Sequence, residues 1–329
     1  GTKYVLSDSC VNLFAENCYS TSSYGDYENG AVMLEPSMRD VTLNSLEFNV
    51  DGSRVNLEVS VSHYERESES ITDNTGFFAN GGFLTGDIAG YYSDFGVGGI
   101  FGIPPRPYVA ANRQYENNGN VFEARLISEK SEKMDFVLGV FTQKDSLKRM
   151  QQTLIKGTNA WNGYFYGLDY VVDPQEKDFD YIVSETIRQK ALYGEFTFHT
   201  SEVFDVTLGF RHFSLDADGD SDMTFALYGL APSSGLHENK EQDTLYKLNL
   251  AYMPEENQTW YATISEGFRR GGINAVPTEG TFIEEEGWVP FTSDKVLNYE
   301  FGRKGITENN VYYNLSFYKV IWERSSTKH

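Results

Sequence analysis

Apolar and polar residues alternate along much of the chain. Residues 45–50 and 55–61 each place an apolar side chain at every second position, and the short turn 51–53 joins the two segments. A period of two puts successive side chains on opposite faces of a β-strand. These segments therefore predict a hairpin with one apolar face and one polar face.

Four further pairs of segments repeat this pattern. They are residues 122–126 with 136–140, 192–199 with 204–211, 246–252 with 260–264, and 297–301 with 313–317. The connections within these pairs are short and fall near residues 131–133, 200–201, 254–257 and 307–310. The chain therefore predicts five hairpins, or about ten antiparallel strands.

The connections between successive hairpins are long instead. A polar, glycine-rich segment from about residue 65 to 119 separates the first two hairpins, and another from about 148 to 184 follows the second. Short periplasmic turns that alternate with long extracellular loops are typical of outer-membrane barrels. Compact soluble domains seldom contain such long loops. We therefore predict an all-β fold, namely part of an antiparallel up-and-down transmembrane β-barrel.

The two faces of these strands predict which side chains meet lipid. We expect Leu57, Leu126, Leu138, Leu208, Leu250 and Ile264 to point outward. We expect Glu58, Glu123, Arg125, Glu195, Arg211 and Glu300 to point into the lumen. A wide, wet or plugged lumen accepts such charges, whereas a small closed barrel requires apolar filling. Phe136, Phe198, Phe204, Tyr252 and Trp260 lie beside the short turns and fit an interfacial girdle. Packing in the core of a soluble sandwich is the alternative.

Composition excludes two other classes of protein. No stretch approaches the 18 consecutive apolar residues of a spanning helix, whereas the short, half-polar strands of a barrel are compatible with the mean hydropathy of -0.45. The net charge of -21 argues against a nucleic-acid partner, because clustered lysines and arginines hold a phosphate backbone.

The two cysteines, Cys10 and Cys18, lie close together in a polar segment without strand alternation. We expect a loop disulfide, which implies an oxidising compartment such as the periplasm or the cell surface. Two free thiols in a cytosolic protein are the alternative.

No motif predicts catalysis or a cofactor. The segment that carries Asp216, Asp218, Asp220 and Asp222 resembles a calcium-binding loop in its oxygen-rich composition. Its glycine and its final carboxylate do not follow the EF-hand spacing, so a solvated acidic loop is favoured. The five histidines show no metal-ligand spacing, and Ser265 lacks a nucleophile elbow. We therefore expect neither an enzyme nor a metalloprotein.

The sequence of residues 260–277, WYATISEGFRRGGINAVP, resembles a strand and loop of the TonB-dependent outer-membrane receptors. The matching positions are Tyr261, Ala262, Ser265, Gly267, Phe268, Arg269, Gly271, Gly272 and Asn274. Segments at 122–142, 192–212 and 298–322 are similar to the same family. In this strand we expect Ala262 and Ile264 to face lipid, the glycines to let the chain leave the barrel wall, and Arg269 to lie at the outer rim.

The resemblance implies a receptor of the bacterial outer membrane that takes up a scarce nutrient, most simply a ferric siderophore, with energy delivered through TonB. Members of this family carry an N-terminal plug domain and about 22 strands. Because about ten strands are readable, residues 1–329 are expected to be part of the barrel, without the plug, the TonB-contacting segment and the last strands. Its partners would be outer-membrane lipid, the TonB complex and a small nutrient.

Candidate ligand-binding residues are the aromatic and cationic side chains of the expected long loops. They are Tyr91, Tyr92, Arg106, Arg113, Trp161, Tyr164, Tyr166, Arg269 and Arg270. Aromatic rings stack on sugars or on aromatic chelators, and the arginines match an anionic ferric chelate. TonB-dependent uptake of an oligosaccharide or of a cofactor such as cobalamin, a passive porin-like channel, and a soluble secreted carbohydrate-binding β-protein remain the alternatives.

Overall fold

The protein is described from a computed structural model that defines residues 2–6, 19–23, 33–74, 108–156, 159, 173–225 and 230–323. The strands are β1 (Thr2–Leu6), β2 (Tyr19–Ser23), β3 (Ser37–Val50), β4 (Val55–Asp73), β5 (Tyr108–Ser128), β6 (Met134–Lys156), β7 (Lys177–Ser201), β8 (Phe204–Thr224), β9 (Ser233–Glu255), β10 (Gln258–Arg269), β11 (Gly272–Ile273), β12 (Pro290–Phe291), β13 (Asp294–Ile306) and β14 (Tyr312–Glu323). A 3-10 helix spans Glu286–Trp288.

Within this described part, ten strands form one sheet in the order β14-β13-β10-β9-β8-β7-β6-β5-β4-β3. All of its neighbouring strands are antiparallel. Strands β1 and β2 form a separate antiparallel pair, as do β11 and β12. The predicted all-β, up-and-down architecture with about ten strands is therefore confirmed.

The five short connections all lie at one end of the sheet. They join β3 to β4, β5 to β6, β7 to β8, β9 to β10, and β13 to β14, and each links neighbours in the sheet. Because consecutive strands are antiparallel, every short turn returns the chain from the same end, and the longer connections start and finish at the opposite end. The predicted alternation of short and long connections is confirmed.

Several strands are longer than the sequence pattern predicted. The expected loop from about 65 to 119 begins and ends inside strands, since β4 continues to Asp73 and β5 starts at Tyr108. In the same way β6 continues to Lys156 and β7 starts at Lys177. The main-chain ladder persists where the outer face turns polar, so the alternation that revealed the strands disappears while the hydrogen bonding continues.

Strand register separates the six predicted lipid-facing residues from the six predicted lumen-facing ones. Leu57 pairs with Leu126, and Leu126 pairs with Leu138, whereas Glu58 pairs with Arg125. Directly paired residues share a face of the sheet. We call the face with the leucines the outer face and the face with the charges the inner face. The predicted division of faces is confirmed.

The outer face carries an apolar band beside the short turns. On β8 its outer side chains are Phe204, Val206, Leu208 and Phe210, after which His212 begins a polar run. Leu208 is 49% exposed in the chain, as a side chain that meets lipid would be. On β5 and β6 the band ends at Phe122 and Val140, and the next outer-face residues, Asn120 and Thr142, are polar. Beyond it the strands project past the apolar surface.

The girdle prediction agrees with this register. Phe204, Tyr252 and Trp260 are paired in successive strands, on the outer face next to the turns. Among the described residues, no helix is long and apolar enough to cross a membrane. Cys10 and Cys18 lie outside the described residues, so their disulfide stays a prediction.

Candidate functional site

The connection from β10 to β13 folds back onto the inner face of the sheet. We call residues 270–293 the inner loop. The hydroxyl of Tyr181 on β7 donates to the carbonyl of Ala275. His237 Nε2 on β9 lies 2.7 Å from the carbonyl oxygen of Val276. These wall side chains satisfy carbonyl groups of an irregular segment, so they fix its path along the inner face.

Gly271 lets the inner loop approach the wall closely. A Cβ added there would lie 2.6 Å from the Phe291 carbonyl oxygen and 2.7 Å from a Glu241 carboxylate oxygen. The Gly271 N–H donates to Ser293 Oγ at 3.0 Å, and Ser293 Oγ donates to Glu241 at 2.8 Å. The glycines were expected where the chain leaves the barrel wall, and β10 does end at Arg269, two residues before Gly271. Glycine is needed at position 271 because no side chain fits there.

Apolar contacts hold the middle of the inner loop. Ile273 and Val289 from the loop are 6% and 5% exposed and pack with Ile187, Leu215 and Ala217 of β7 and β8. Burying one isoleucine side chain contributes about 1.5–3 kcal/mol. The loop therefore packs as a fixed layer inside the sheet.

An ion pair ties the start of the inner loop to a distant strand. Arg270 Nη1 lies 2.9 Å from Asp145 Oδ2 on β6. Asp145, whose side chain is 12% exposed, also accepts hydrogen bonds from the Tyr64 hydroxyl and from Gln143 Nε2. Tyr64 lies beyond the apolar band, where burial first and the Asp145 hydrogen bond second raise its pKa to about 12. Tyr64 therefore stays a donor to this carboxylate at neutral pH.

A cavity of about 550 Å³ lies between the inner loop and the walls of β4–β7. Its lining combines three arginines and two tyrosines, namely Arg66, Arg113, Arg149, Tyr115 and Tyr181, with polar and apolar side chains and with loop residues 273–276. The volume falls in the range of small-molecule sites. The lining offers both guanidinium groups and flat phenol rings to one ligand.

The cavity is cationic. Arg66 lies over the Tyr115 ring at 5.1 Å, and Arg113 Nη1 donates to Thr72 Oγ1 at 3.1 Å. None of the three arginines forms an ion pair with another residue that the structure describes. Guanidinium groups bind planar carboxylates and similar anions through two parallel hydrogen bonds. The site therefore suits a ligand that carries negative charge.

One carboxyl group lies close to the cavity arginines. Glu185, on the part of β7 beyond the apolar band, has a raised pKa because burial disfavours its charged form. Arg149 and Arg270 act in the opposite direction and favour the carboxylate. Glu185 is therefore a carboxyl group within electrostatic range of Arg149 and Arg270.

The candidate ligand-binding residues are distributed over different parts of the chain. Arg113, expected in a loop, lies on β5 and lines the cavity. Arg270 binds Asp145, and Arg269 binds Asp294 at 2.5 Å and lies over the Trp322 ring at 5.5 Å. Tyr91, Tyr92, Arg106, Trp161, Tyr164 and Tyr166 lie outside the described residues. A role in ligand binding stays a prediction for all nine.

The remaining motif residues mostly support the sheet. Ala262 and Ile264 share the outer face with Leu250 and Leu248, as expected. Phe268 stacks on Phe213 of β8, with ring centroids 4.1 Å apart, and thereby packs against the inner wall. The end of β10 has left β9 at this point, because their pairing stops at Ser265.

Arg66, Arg149, Tyr115 and Tyr181 were not predicted as site residues. Each lies on the inner face, in a part of its strand where the outer face is also polar. On β4, for example, every second residue from Glu58 points inward, and this series includes Arg66. That series was the available signal. It was hidden by the loss of apolar alternation.

The acidic segment was predicted as a loop, and this prediction was wrong. Asp216, Asp218, Asp220 and Asp222 lie on β8 and alternate toward the outer face, with Asp218 paired to Arg188. An extended strand separates such side chains by about 6–7 Å. Among the described residues no group of three or more potential ligands converges to hold a metal ion.

Relatives were found in sequence and in structure. The pesticin receptors of Yersinia enterocolitica and Yersinia pestis are each 28% identical over 138 residues, which cover 42% of this chain and 19% of each receptor. The ferric yersiniabactin uptake receptor of Yersinia pestis has a TM-score of 0.63 at 15% identity, over 87% of this chain and 37% of that one. A siderophore receptor of Acinetobacter baumannii has a TM-score of 0.51 at 12% identity, over 86% and 40%.

The family model for TonB dependent receptor-like β-barrels matches residues 16–320. This range contains the inner loop and the ten-stranded sheet except for the last three residues of β14. The chain therefore belongs to the TonB-dependent receptor-like β-barrel family of the outer membrane.

Proposed function

We propose that the full-length protein binds an anionic ferric siderophore at the cell surface and passes it across the outer membrane in a TonB-dependent step. The observation that carries this proposal is the cluster of Arg66, Arg113 and Arg149 in one cavity of a chain whose net charge is -21. A cavity that binds cations would be lined by acidic side chains instead. The local reversal of charge indicates selection for an anion.

The tyrosines add a second element of recognition. Tyr115 and Tyr181 present rings to the same cavity, and flat rings stack on the aromatic groups of many chelators. The structural similarity to the ferric yersiniabactin uptake receptor and to the Acinetobacter siderophore receptor supports the same class of ligand. The proposed step is transport of an unchanged chelate, without catalysis.

The proposal includes regions beyond this chain. The chain spans 37% of the yersiniabactin receptor structure, so we propose that a plug domain, a TonB-contacting segment and further barrel strands belong to the full-length protein. Through the contact with TonB, the inner-membrane proton gradient would drive release of the chelate into the periplasm.

Binding of iron-loaded chelators to intact cells that express the full-length protein tests the proposal. Arg113→Ala and Arg149→Ala should each weaken binding of an anionic ferric chelate by about tenfold and flatten its salt dependence, because each removes a charge-assisted contact. Arg188→Ala is the matched control, since Arg188 pairs with Asp218 on the outer face.

The alternative cargoes give different results. Saturable uptake of a neutral oligosaccharide or of cobalamin, with no response to ferric chelates, would contradict the siderophore proposal. Unsaturable diffusion of small solutes without an energised inner membrane would indicate a porin-like channel. Recovery of the full-length protein from the soluble fraction would indicate a secreted carbohydrate-binding protein.

A further inference from the structure

An apolar groove lies on the outer face, at the end of the sheet that carries the short turns. Its volume is about 370 Å³. Side chains of β8, β9, β10 and β13 line it, chiefly Phe204, Leu250, Tyr252, Trp260, Ala262 and Phe301. Short turns face the periplasm in barrels of this kind. The groove therefore opens toward the acyl chains of the periplasmic leaflet of the outer membrane.

A cation lies at the turn side of this groove. Arg303 pairs with Trp260 and is two residues from Phe301, so it shares their face. Its guanidinium carbon lies 4.6 Å from the Trp260 ring centroid and 5.2 Å from that of Tyr313. Within the described strands, Arg303 is the one cation that the register places on the outer face in the two rows nearest the short turns.

The guanidinium group retains unused donors. Arg303 Nη2 donates to Gln258 Oε1 at 2.6 Å, whereas Nη1 donates to no residue that the structure describes. Nε is buried and therefore does not reach an external ligand. Arg303 forms no ion pair with the residues that the structure describes. Arginine at the membrane interface has little insertion cost when its charge reaches the phosphate layer. The two rings keep the cation at this level of the barrel wall.

We propose that the groove and Arg303 together bind one anionic phospholipid of the periplasmic leaflet. An acyl chain occupies the groove, and the lipid phosphate accepts hydrogen bonds from Arg303. Arg303 lies nearer the short turns, where the lipid headgroup would be, and the apolar groove lies nearer the middle of the membrane, where the acyl chain would be. The site therefore presents its charged and apolar parts in the same order as a lipid of that leaflet. This site is separate from the cationic cavity and does not depend on the cargo.

Lipid titration of the purified full-length protein in detergent, followed by native mass spectrometry, tests this site. The probes are dioleoylphosphatidylglycerol and uncharged dioleoylglycerol, which carries the same chains without phosphate. Arg303→Gln should weaken phosphatidylglycerol binding by about tenfold, as expected when a charge-assisted hydrogen bond is lost. It should leave dioleoylglycerol binding unchanged. Arg188→Gln, at an exposed outer-face arginine beyond the apolar band, should bind both probes like the wild type.

A second variant tests the acyl part of the site. Ala262→Phe fills the groove and should reduce binding of both probes equally, while Arg303 is kept. Wild-type affinity for phosphatidylglycerol in Arg303→Gln would overturn the proposal. Inorganic phosphate that competes at concentrations equal to those of phosphatidylglycerol would also overturn it, because the acyl chain would then add no affinity and the site would be one for a free ion.

Heat-modifiable migration in detergent shows whether each variant is folded. If Arg303→Gln does not fold, the site is tested by fluorescence quenching in protein that keeps Arg303. Phosphatidylglycerol with brominated acyl chains should quench Trp260, read as the fluorescence difference between the wild type and Trp260→Phe. Equal quenching by brominated dioleoylglycerol at equal concentration would exclude the phosphate contact.

Discussion

Arg270 and Asp145 form a 2.9 Å ion pair across the inner side of the sheet, although 125 positions separate them in the chain. Arg270 directly follows β10, and β7, β8 and β9 lie between β10 and the strand of Asp145, β6. The inner loop is therefore anchored on a wall to which it has no covalent or ladder connection.

The first prediction concerns this anchor. Arg270→Ala should destabilise the inner loop by about 1–3 kcal/mol, between the values for exposed and buried ion pairs, because Asp145 is buried and Arg270 is partly exposed. Hydrogen exchange of the loop amides in the full-length protein should accelerate accordingly. Lys240→Ala removes an exposed pair at 3.8 Å and serves as the control. Unchanged protection of the loop in Arg270→Ala would contradict the prediction.

The second prediction compares two glycines of one motif. Gly271→Ala should cost about 1–3 kcal/mol, since its Cβ would meet the Phe291 carbonyl oxygen and the Ser293 nitrogen within 2.8 Å. Gly267→Ala should be neutral or stabilising, because the nearest atom to its Cβ is 4.0 Å away. Equilibrium unfolding of both variants in lipid vesicles measures the difference. Equal unfolding free energies would show that the loop does not pack closely at Gly271.

The third prediction concerns the apolar band. Leu208→Arg should destabilise the full-length protein in lipid vesicles, lowering its free energy of unfolding by about 2–4 kcal/mol, because the residue faces lipid near the middle of the band. Ser214→Arg, on the same strand and the same face beyond the band, should cost less than about 1 kcal/mol. Similar costs for the two variants would place Leu208 outside the membrane.

The fourth prediction separates stacking from charge. Trp161 lies outside the described residues, in a segment with Tyr164 and Tyr166 that offers stacking area to any flat ligand. Trp161→Ala should weaken binding of a ferric chelate and of a neutral oligosaccharide, whereas Arg113→Ala should weaken the chelate alone. Equilibrium binding of both ligands to intact cells distinguishes these effects. Loss of oligosaccharide binding in Arg113→Ala would remove the charge argument.

The strands were predictable wherever lipid faces them. Between Phe204 and Phe210 the outer side chains must be apolar and the inner ones need not be, so a period of two is visible. From His212 to Asp222 both faces are compatible with water, and the alternation ends although the strand continues to Thr224. Arg113 and the four aspartates were assigned to loops for this reason.

The site was predictable only in part. The motif correctly indicated a departure from the wall near Gly271, because glycine is required where backbones meet. The destination of the inner loop depends on Asp145 and Ile187, which lie far away in the chain, and no local pattern specifies such contacts. The cavity arginines share a face only after the register of β4–β7 is known.

Arg113 and Arg149 lie nine residues beyond Phe122 and Val140, the last apolar outer-face residues of their strands. Nine residues extend about 30 Å along a strand, or roughly 20–25 Å along the barrel axis at the usual tilt. Under the proposed function, a chelate held by these arginines would be bound outside the thickness of the bilayer. Cargo preference can therefore change through substitutions in the projecting rim while the part that inserts into lipid keeps its sequence.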